Sequence, residues 1–200
     1  MAATGGRWFG GWGRRLLAAS TLLAVLGGLA LPAVAGWLLA VEDPNDTAGR
    51  LDVHEVRHRQ LSGDPPAWTV ITFGEWSVRS IWDRGYVLLL LDTRRSPESD
   101  YYVLVRADRD RLVGKMWRDR RDARDRRLFA VAVHKRGGRG VEIRVPLRRL
   151  SIGAERTVYR WSVITLFTGG PCDRPCVDPA PDATMVEQPL PTASPSAIPT

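Results

Sequence analysis

The chain has 200 residues, a formal charge of +7, 44 % hydrophobic and 26 % charged residues, and two cysteines. That is enough for one domain with a real core, and too hydrophobic for a wholly disordered protein. Arg7, Arg14 and Arg15 lie ahead of the domain, so the 29 basic residues fall to 26 against 22 acidic ones, and the remaining charge of +4 is only mildly basic.

The N-terminal stretch ends its basic part at Arg14-Arg15, and residues 16–41 then run for 26 positions without a charge before Glu42 and Asp43. A basic start, an apolar stretch and the small-residue pattern Ala33-Val34-Ala35 read as an export signal cleaved before Gly36. The apolar run continues through Trp37-Leu38-Leu39-Ala40-Val41, so an uncleaved single-pass anchor is the alternative, since about 20 apolar residues span a bilayer. Positive charge before the run and negative charge after it places the bulk of the chain outside the cytoplasm in either case. Residues 1–41 are thus a signal peptide or signal anchor, expected as a hydrophobic helix, and the protein is secreted or tethered to the cell membrane. Arg14-Arg15 lacks the consensus around a twin-arginine signal.

From there the pattern is β. Leu51, Val53 and Val56 mark an irregular first strand. Residues 68–73 are rich in β-branched and aromatic side chains, between Pro65-Pro66 and Gly74. Residues 86–91 form a short apolar run suited to a buried strand. Residues 101–106 and 111–117 pair around a turn at 108–110. Residues 128–133 put Phe129, Val131 and Val133 on one side, Gly137-Gly138-Arg139-Gly140 turns the chain, and residues 141–145 alternate. Residues 146–151 suit one helical or 3₁₀ turn. Residues 158–167 form the last long strand, with Trp161, Val163 and Leu166 as core candidates. Seven or eight such strands without an amphipathic helix predict an all-β fold over residues 42–178. The expected form is an antiparallel β-sandwich of the jelly-roll or immunoglobulin-like kind, similar to carbohydrate-binding modules. Residues 179–200 hold six prolines with Ser, Thr and Ala and no Lys or Arg, the composition of a disordered tail.

Chemistry is sparse. No G-x-S-x-G, H-E-x-x-H or P-loop pattern occurs, so a non-enzyme without a cofactor is expected. Cys172 and Cys176 suit a disulfide in an exported domain, and the remote histidines leave them without a zinc partner set. His54 and His58, four apart on a strand, lie about 13 Å from one another, too far to share a metal. Trp68 and Trp161 fall in strand patterns and belong to the core. Trp76 and Trp82 flank residues 77–81, which look like a loop, and are the candidates for a surface that stacks sugar rings. Asp43, Asp46 and Asp92 are weak candidates for a Ca²⁺ site, should their loops converge. The arginines of residues 108–127 could meet phosphates, but aspartates alternate with them and cancel much of the field. Export argues further against nucleic acid.

The motifs Asp43-Pro44-Asn45-Asp46-Thr47-Ala48-Gly49-Arg50-Leu51-Asp52-Val53, Asp92-Thr93, Asp100-Tyr101, Tyr159-Arg160-Trp161 and Cys172…Cys176-Val177-Asp178-Pro179-Ala180-Pro181 carry a resemblance. Over residues 43–181 the chain resembles a family of exported actinobacterial β-sandwich proteins without an assigned activity. The resemblance implies a fold like carbohydrate-binding or DOMON-like modules. It also implies an Asp-rich loop between the Asp-Thr and Asp-Tyr positions, where this chain carries Thr93-Arg94-Arg95-Ser96-Pro97-Glu98-Ser99. The expected function is a non-catalytic extracytoplasmic module for a glycan or cell-envelope polymer. The alternative is a structural or protein-interaction domain of the envelope.

Overall fold

The computed structural model describes residues 36–61, 63–96, 98–121 and 123–190. The hydrophobic helix expected over residues 1–41 lies outside the described residues up to residue 35, and its end, from Gly36, is strand and not helix. Among the described residues no helix is long and apolar enough to cross a membrane.

Eleven strands follow in chain order: β1 Gly36–Glu42, β2 Val53–Leu61, β3 Ala67–Thr72, β4 Gly85–Asp92, β5 Tyr101–Asp108, β6 Arg111–Arg118, β7 Arg126–Arg136, β8 Gly140–Arg144, β9 Val158–Phe167, β10 Cys176–Ala180 and β11 Val186–Pro189. One short helix, α1 Val78–Ile81, interrupts them, capped by Ser77, whose side chain accepts from the Ser80 backbone. A 3₁₀ turn, Leu147–Arg149, follows β8, as the sequence suggests for that stretch.

The all-β, antiparallel expectation is met. The strands form one continuous path, β1-β2-β3-β8-β7-β6-β5-β4-β9-β10, with β11 also on β9, and the path curls nearly to a barrel. The halves of this path are joined through β7. Its residues up to Val131 pair with β6, and those from Ala132 onward pair with β8. Gly114 of β6 makes the crossing possible. A Cβ there would lie 2.4 Å from Val133 Cγ2 and 2.6 Å from Val131 Cγ2, closer than any side chain is tolerated.

The core fills the space enclosed by the sheet. Val56, Trp68, Leu89, Val103, Met116, Ile143, Trp161 and Val163 have no exposed surface. The Trp68 and Trp161 rings meet edge to face, with centroids 6.4 Å apart at 76°, the arrangement their quadrupoles favour. The irregular apolar spacing of the first predicted strand has a local cause. A register shift between Val53 and Glu55 changes which side chains of β2 face inward. After it Val56, His58 and Gln60 point to the core, while His54, Arg57 and Arg59 are exposed.

Two stretches depart from their compositional reading. Gly36–Glu42, the end of the apolar run, is a strand paired along its length with Leu61 to Glu55. Residues 179–190, assigned by composition to a solvated tail, complete β10 and supply β11. Both lie on the same edge of β9, where Pro179 pairs with Ile164 and Pro189 with Val158. Proline lacks the N–H that an inner strand must donate, but an edge strand tolerates it.

Candidate functional site

The two loop tryptophans separate. Trp82, at the end of α1, is 52 % exposed, whereas Trp76 is buried. Trp76 Nε1 donates to the Arg139 carbonyl at 3.2 Å, and Lys135 Nζ lies 3.6 Å from the centre of its ring. The β7–β8 turn thus covers Trp76, and the paired stacking surface expected from Trp76 and Trp82 does not form. Nothing local in the sequence announces this, because the covering residues are about sixty positions away.

Asp92 also leaves its expected partners. It is fully buried at the end of β4, and its Oδ1 accepts from the backbone N–H of Arg94 and Ser96. Its Oδ2 accepts from Arg160 Nε at 2.8 Å, and Arg160 Nη2 contacts the same oxygen. Asp100 is held in turn by the Thr93 N–H and hydroxyl, at 2.8 and 2.6 Å. The motif pairs Asp92-Thr93 and Asp100-Tyr101 are therefore a loop clamp, closed by Arg160 on Asp92 and the Ser96 carbonyl.

Arginines gather beside this clamp. A cleft of about 590 Å³ is lined by Arg94, Arg118, Arg120, Arg121 and Arg126, with Glu98, Asp100 and Asp119 as its acidic members. Arg121 neutralises Glu98 at 2.7 Å, and Arg94 lies 3.4 Å from Asp100. A second cleft of about 400 Å³ shares Arg118 and Arg126 and adds Arg127 and Arg149 without an acidic residue. The Arg149 guanidinium sits 4.1 Å from the centre of the Phe129 ring. The β6–β7 loop that carries much of this charge is tethered through Asp125, which accepts from the Tyr102 hydroxyl at 2.8 Å and from the Arg120 N–H at 3.3 Å. Tyr102 stacks on Trp117 across β5 and β6, with planes 7° apart, so a rigid aromatic pair positions the loop. Burial, with the Asp125 bond second, pushes the Tyr102 hydroxyl well above its ordinary pKa.

The third locus is acidic. Asp43 and Asp46 do converge, with Asp178 of β10 as the third member. One carboxylate oxygen from each lies within 4.8 Å of the other two. Asp43 and Asp178 are buried, and Asp46 is exposed. Asp178 Oδ2 accepts from the Val53 N–H at 2.6 Å, and its Oδ1 lies 3.3 Å from the Thr47 hydroxyl. Burial first, then the charges of Asp178, Asp182, Asp46 and Asp52, push Asp43 up to about 7. Burial likewise raises Asp178 to about 6. The disulfide between Cys172 and Cys176, Cα atoms 5.7 Å apart, lies beside this junction, where Cys172 Sγ is 3.3 Å from the Ala48 carbonyl. Gly49, at φ +117°, allows the close approach, since a Cβ there would sit 3.0 Å from Cys172 Sγ. The opening and closing motifs, more than a hundred residues apart, are thus one structural unit. Asp52 and Asp178 stand in those motifs, and their place there was the available signal for them.

No protein-family model, no curated protein and no solved structure matches the chain.

Proposed function

We propose that the protein is a non-catalytic extracytoplasmic module, secreted or tethered by residues 16–35, that binds an anionic polymer of the cell envelope. On this proposal the two halves of the sheet, joined at β7, are the faces of a flattened sandwich of the kind that carbohydrate-binding modules use. The observation that carries the reading is the pair of adjoining clefts sharing Arg118 and Arg126. A group of guanidiniums from the end of β6, the start of β7 and the tethered loop between them matches spaced phosphates, because each fork donates two hydrogen bonds to one phosphate. The acidic residues in the larger cleft are largely taken up by Arg94 and Arg121.

The test is binding of the full chain to a glycerol-phosphate polymer and to a neutral glucan. The expected outcome is salt-sensitive binding to the phosphate polymer, weakened at least tenfold in the Arg118→Glu, Arg126→Glu double variant. Binding to the glucan alone, lost in Trp82→Ala, would replace this reading with sugar stacking on Trp82. The alternative, an interaction domain of the envelope, has one observation of its own: Leu38, 76 % exposed, on β1 at the end of the sheet path. Crosslinking in intact cells that captures a protein through Leu38, with no polymer bound, would favour it.

A further inference from the structure

The sheet path begins at β1 and ends at β10, and the acidic junction spans those two ends. Asp43 and Asp46 belong to the link leaving β1, and Asp178 is the middle residue of β10. Among the described residues no arginine or lysine forms an ion pair with Asp43, Asp46, Asp52 or Asp178, although ten such pairs occur elsewhere. An independent observation concerns hydrogen bonding. Asp43 Oδ2 and Asp52 Oδ1 are buried without a hydrogen-bond partner among the described residues, in residues 5 % and 4 % exposed. A buried carboxylate oxygen with no donor is rare in a folded protein and unfavourable to leave alone. Asp43 brings such a carboxylate to the convergence with Asp46 and Asp178, and Asp52 stands beside it in charge, so the group calls for positive charge from outside the chain.

We propose that Asp43, Asp46 and Asp178 hold a Ca²⁺ ion that clasps the first and last strands of the sheet path. The donor set is all oxygen, which selects hard cations over zinc or copper. Ca²⁺ accepts six to eight oxygens in flexible geometry, so three carboxylates supply part of the shell and water enters on the exposed Asp46 side. The Val53 N–H keeps Asp178 oriented before the ion arrives. The cation adds to what the backbone provides: β1 pairs with β2 and β10 with β9, β10 reaches β2 through the Val53 N–H, and the three carboxylates bring the link after β1 to β10.

The experiment is thermal unfolding of the full chain with a chelator and with Ca²⁺ added to about 10 mM, roughly ten to a hundred times the Kd of extracellular calcium modules. At a hundredfold excess over Kd, Ca²⁺ should raise Tm by on the order of 5 °C. Asp46→Asn is the main variant, because Asp46 is exposed and its loss leaves the core intact. In chelator the variant should be at least as stable as the wild type, since one like charge is gone. In Ca²⁺ the order should reverse, with Ca²⁺ affinity at least tenfold weaker. Asp110→Asn, at an exposed position paired with Arg79 far along the chain, should keep the full Ca²⁺ shift. Absence of any Ca²⁺ shift in the wild type, or an equal shift in Asp46→Asn, overturns the proposal. Direct titration calorimetry with Ca²⁺ on Asp46→Asn and wild type gives the affinity ratio independently of unfolding. Neither readout depends on the arginine clefts, so loss of polymer binding and loss of Ca²⁺ binding are separately visible.

Discussion

His58 shows how one side chain sets a pH dependence. It is fully buried on β2, with Nε2 2.8 Å from the Tyr159 hydroxyl and the Trp161 ring stacked at 5.9 Å. Its surroundings are aromatic, and burial pulls its pKa down to about 4 from 6.5. The unfolded chain therefore takes up the proton first as pH falls. The stability from the neutral imidazole is complete above pH 6.5 and drains away between there and pH 4. Asp43 and Asp178 act in the opposite sense. Their folded values, about 7 and about 6, exceed the unfolded 3.8, so acid relieves a penalty that is present at higher pH. Only a comparison isolates the histidine. In urea unfolding of the wild type and His58→Gln at pH 7.5 and 4.5, the stability difference between them should shift by roughly 2–3 kcal/mol in favour of the variant at the lower pH. An unchanged difference would mean that the imidazole titrates in the folded state as it does in the unfolded chain. The position was half legible: sequence spacing keeps His54 and His58 from sharing a metal, but it puts them on one face. The bulge between Val53 and Glu55 turned His54 outward and His58 in.

Strands with plain alternation or a short apolar run could be read from the sequence almost residue by residue, as for Gly85–Asp92, Tyr101–Asp108 and Val158–Phe167. Val87, Leu89, Leu91, Tyr101, Val103, Val105, Trp161 and Val163 face the core, whereas Leu88, Leu90, Leu104, Ile164 and Leu166, the last expected in the core, alternate onto the other face and are only partly buried. The elements that could not be read lie at the ends of the sheet path. Gly36–Glu42 is as apolar as the membrane-like run before it, so no composition change marks where a strand begins. Cys176–Ala180 and Val186–Pro189 are hidden by their prolines, which suit edge strands and disordered tails equally. Burial distinguishes the two: Ala180 and Gln188 are buried, and Val186 and Leu190 pack on the core. A chain ending after Asp182, which lacks β11, should lose roughly 3 kcal/mol, from two partly buried apolar side chains and the pairing with Val158–Trp161. A chain ending after Leu190 should match the full protein. Equal stability of the two in urea would return residues 183–190 to the tail that their composition suggests. The sites followed the same division. Cys172 and Cys176 pair as expected because they are near neighbours in sequence, whereas the partner of Asp43 and Asp46 lies across the whole chain at Asp178.

At the scale of the molecule, its charges are sorted in space. The arginine clefts run from the β6–β7 loop to the 3₁₀ turn, while five aspartates crowd the junction of the opening and closing motifs. The long-range links there are the Val53 N–H and Thr47 hydroxyl bonds to Asp178 and the packing of the local Cys172–Cys176 loop against Ala48 and Gly49, so the two ends of the domain are committed to each other. The pairing of Gly36 with Leu61 adds a consequence in time. If the export signal is cut after Ala35, the bond to be cut adjoins the first ladder position of β1, and a protease must bind it as an extended strand of its own. Folding and processing then compete for the same few residues, and a barrel that closes first locks its own leader on. Slowing closure should shift the outcome. Gly114→Ala, which forces a methyl group against Val131 and Val133, is expected to raise the fraction of chains whose N-terminal mass corresponds to Gly36. An unaltered fraction would show that cutting is finished before β1 ever meets β2. Under the proposed export, the strand Gly36–Glu42 would decide, by a race within each molecule, how much of the protein is released and how much stays tethered.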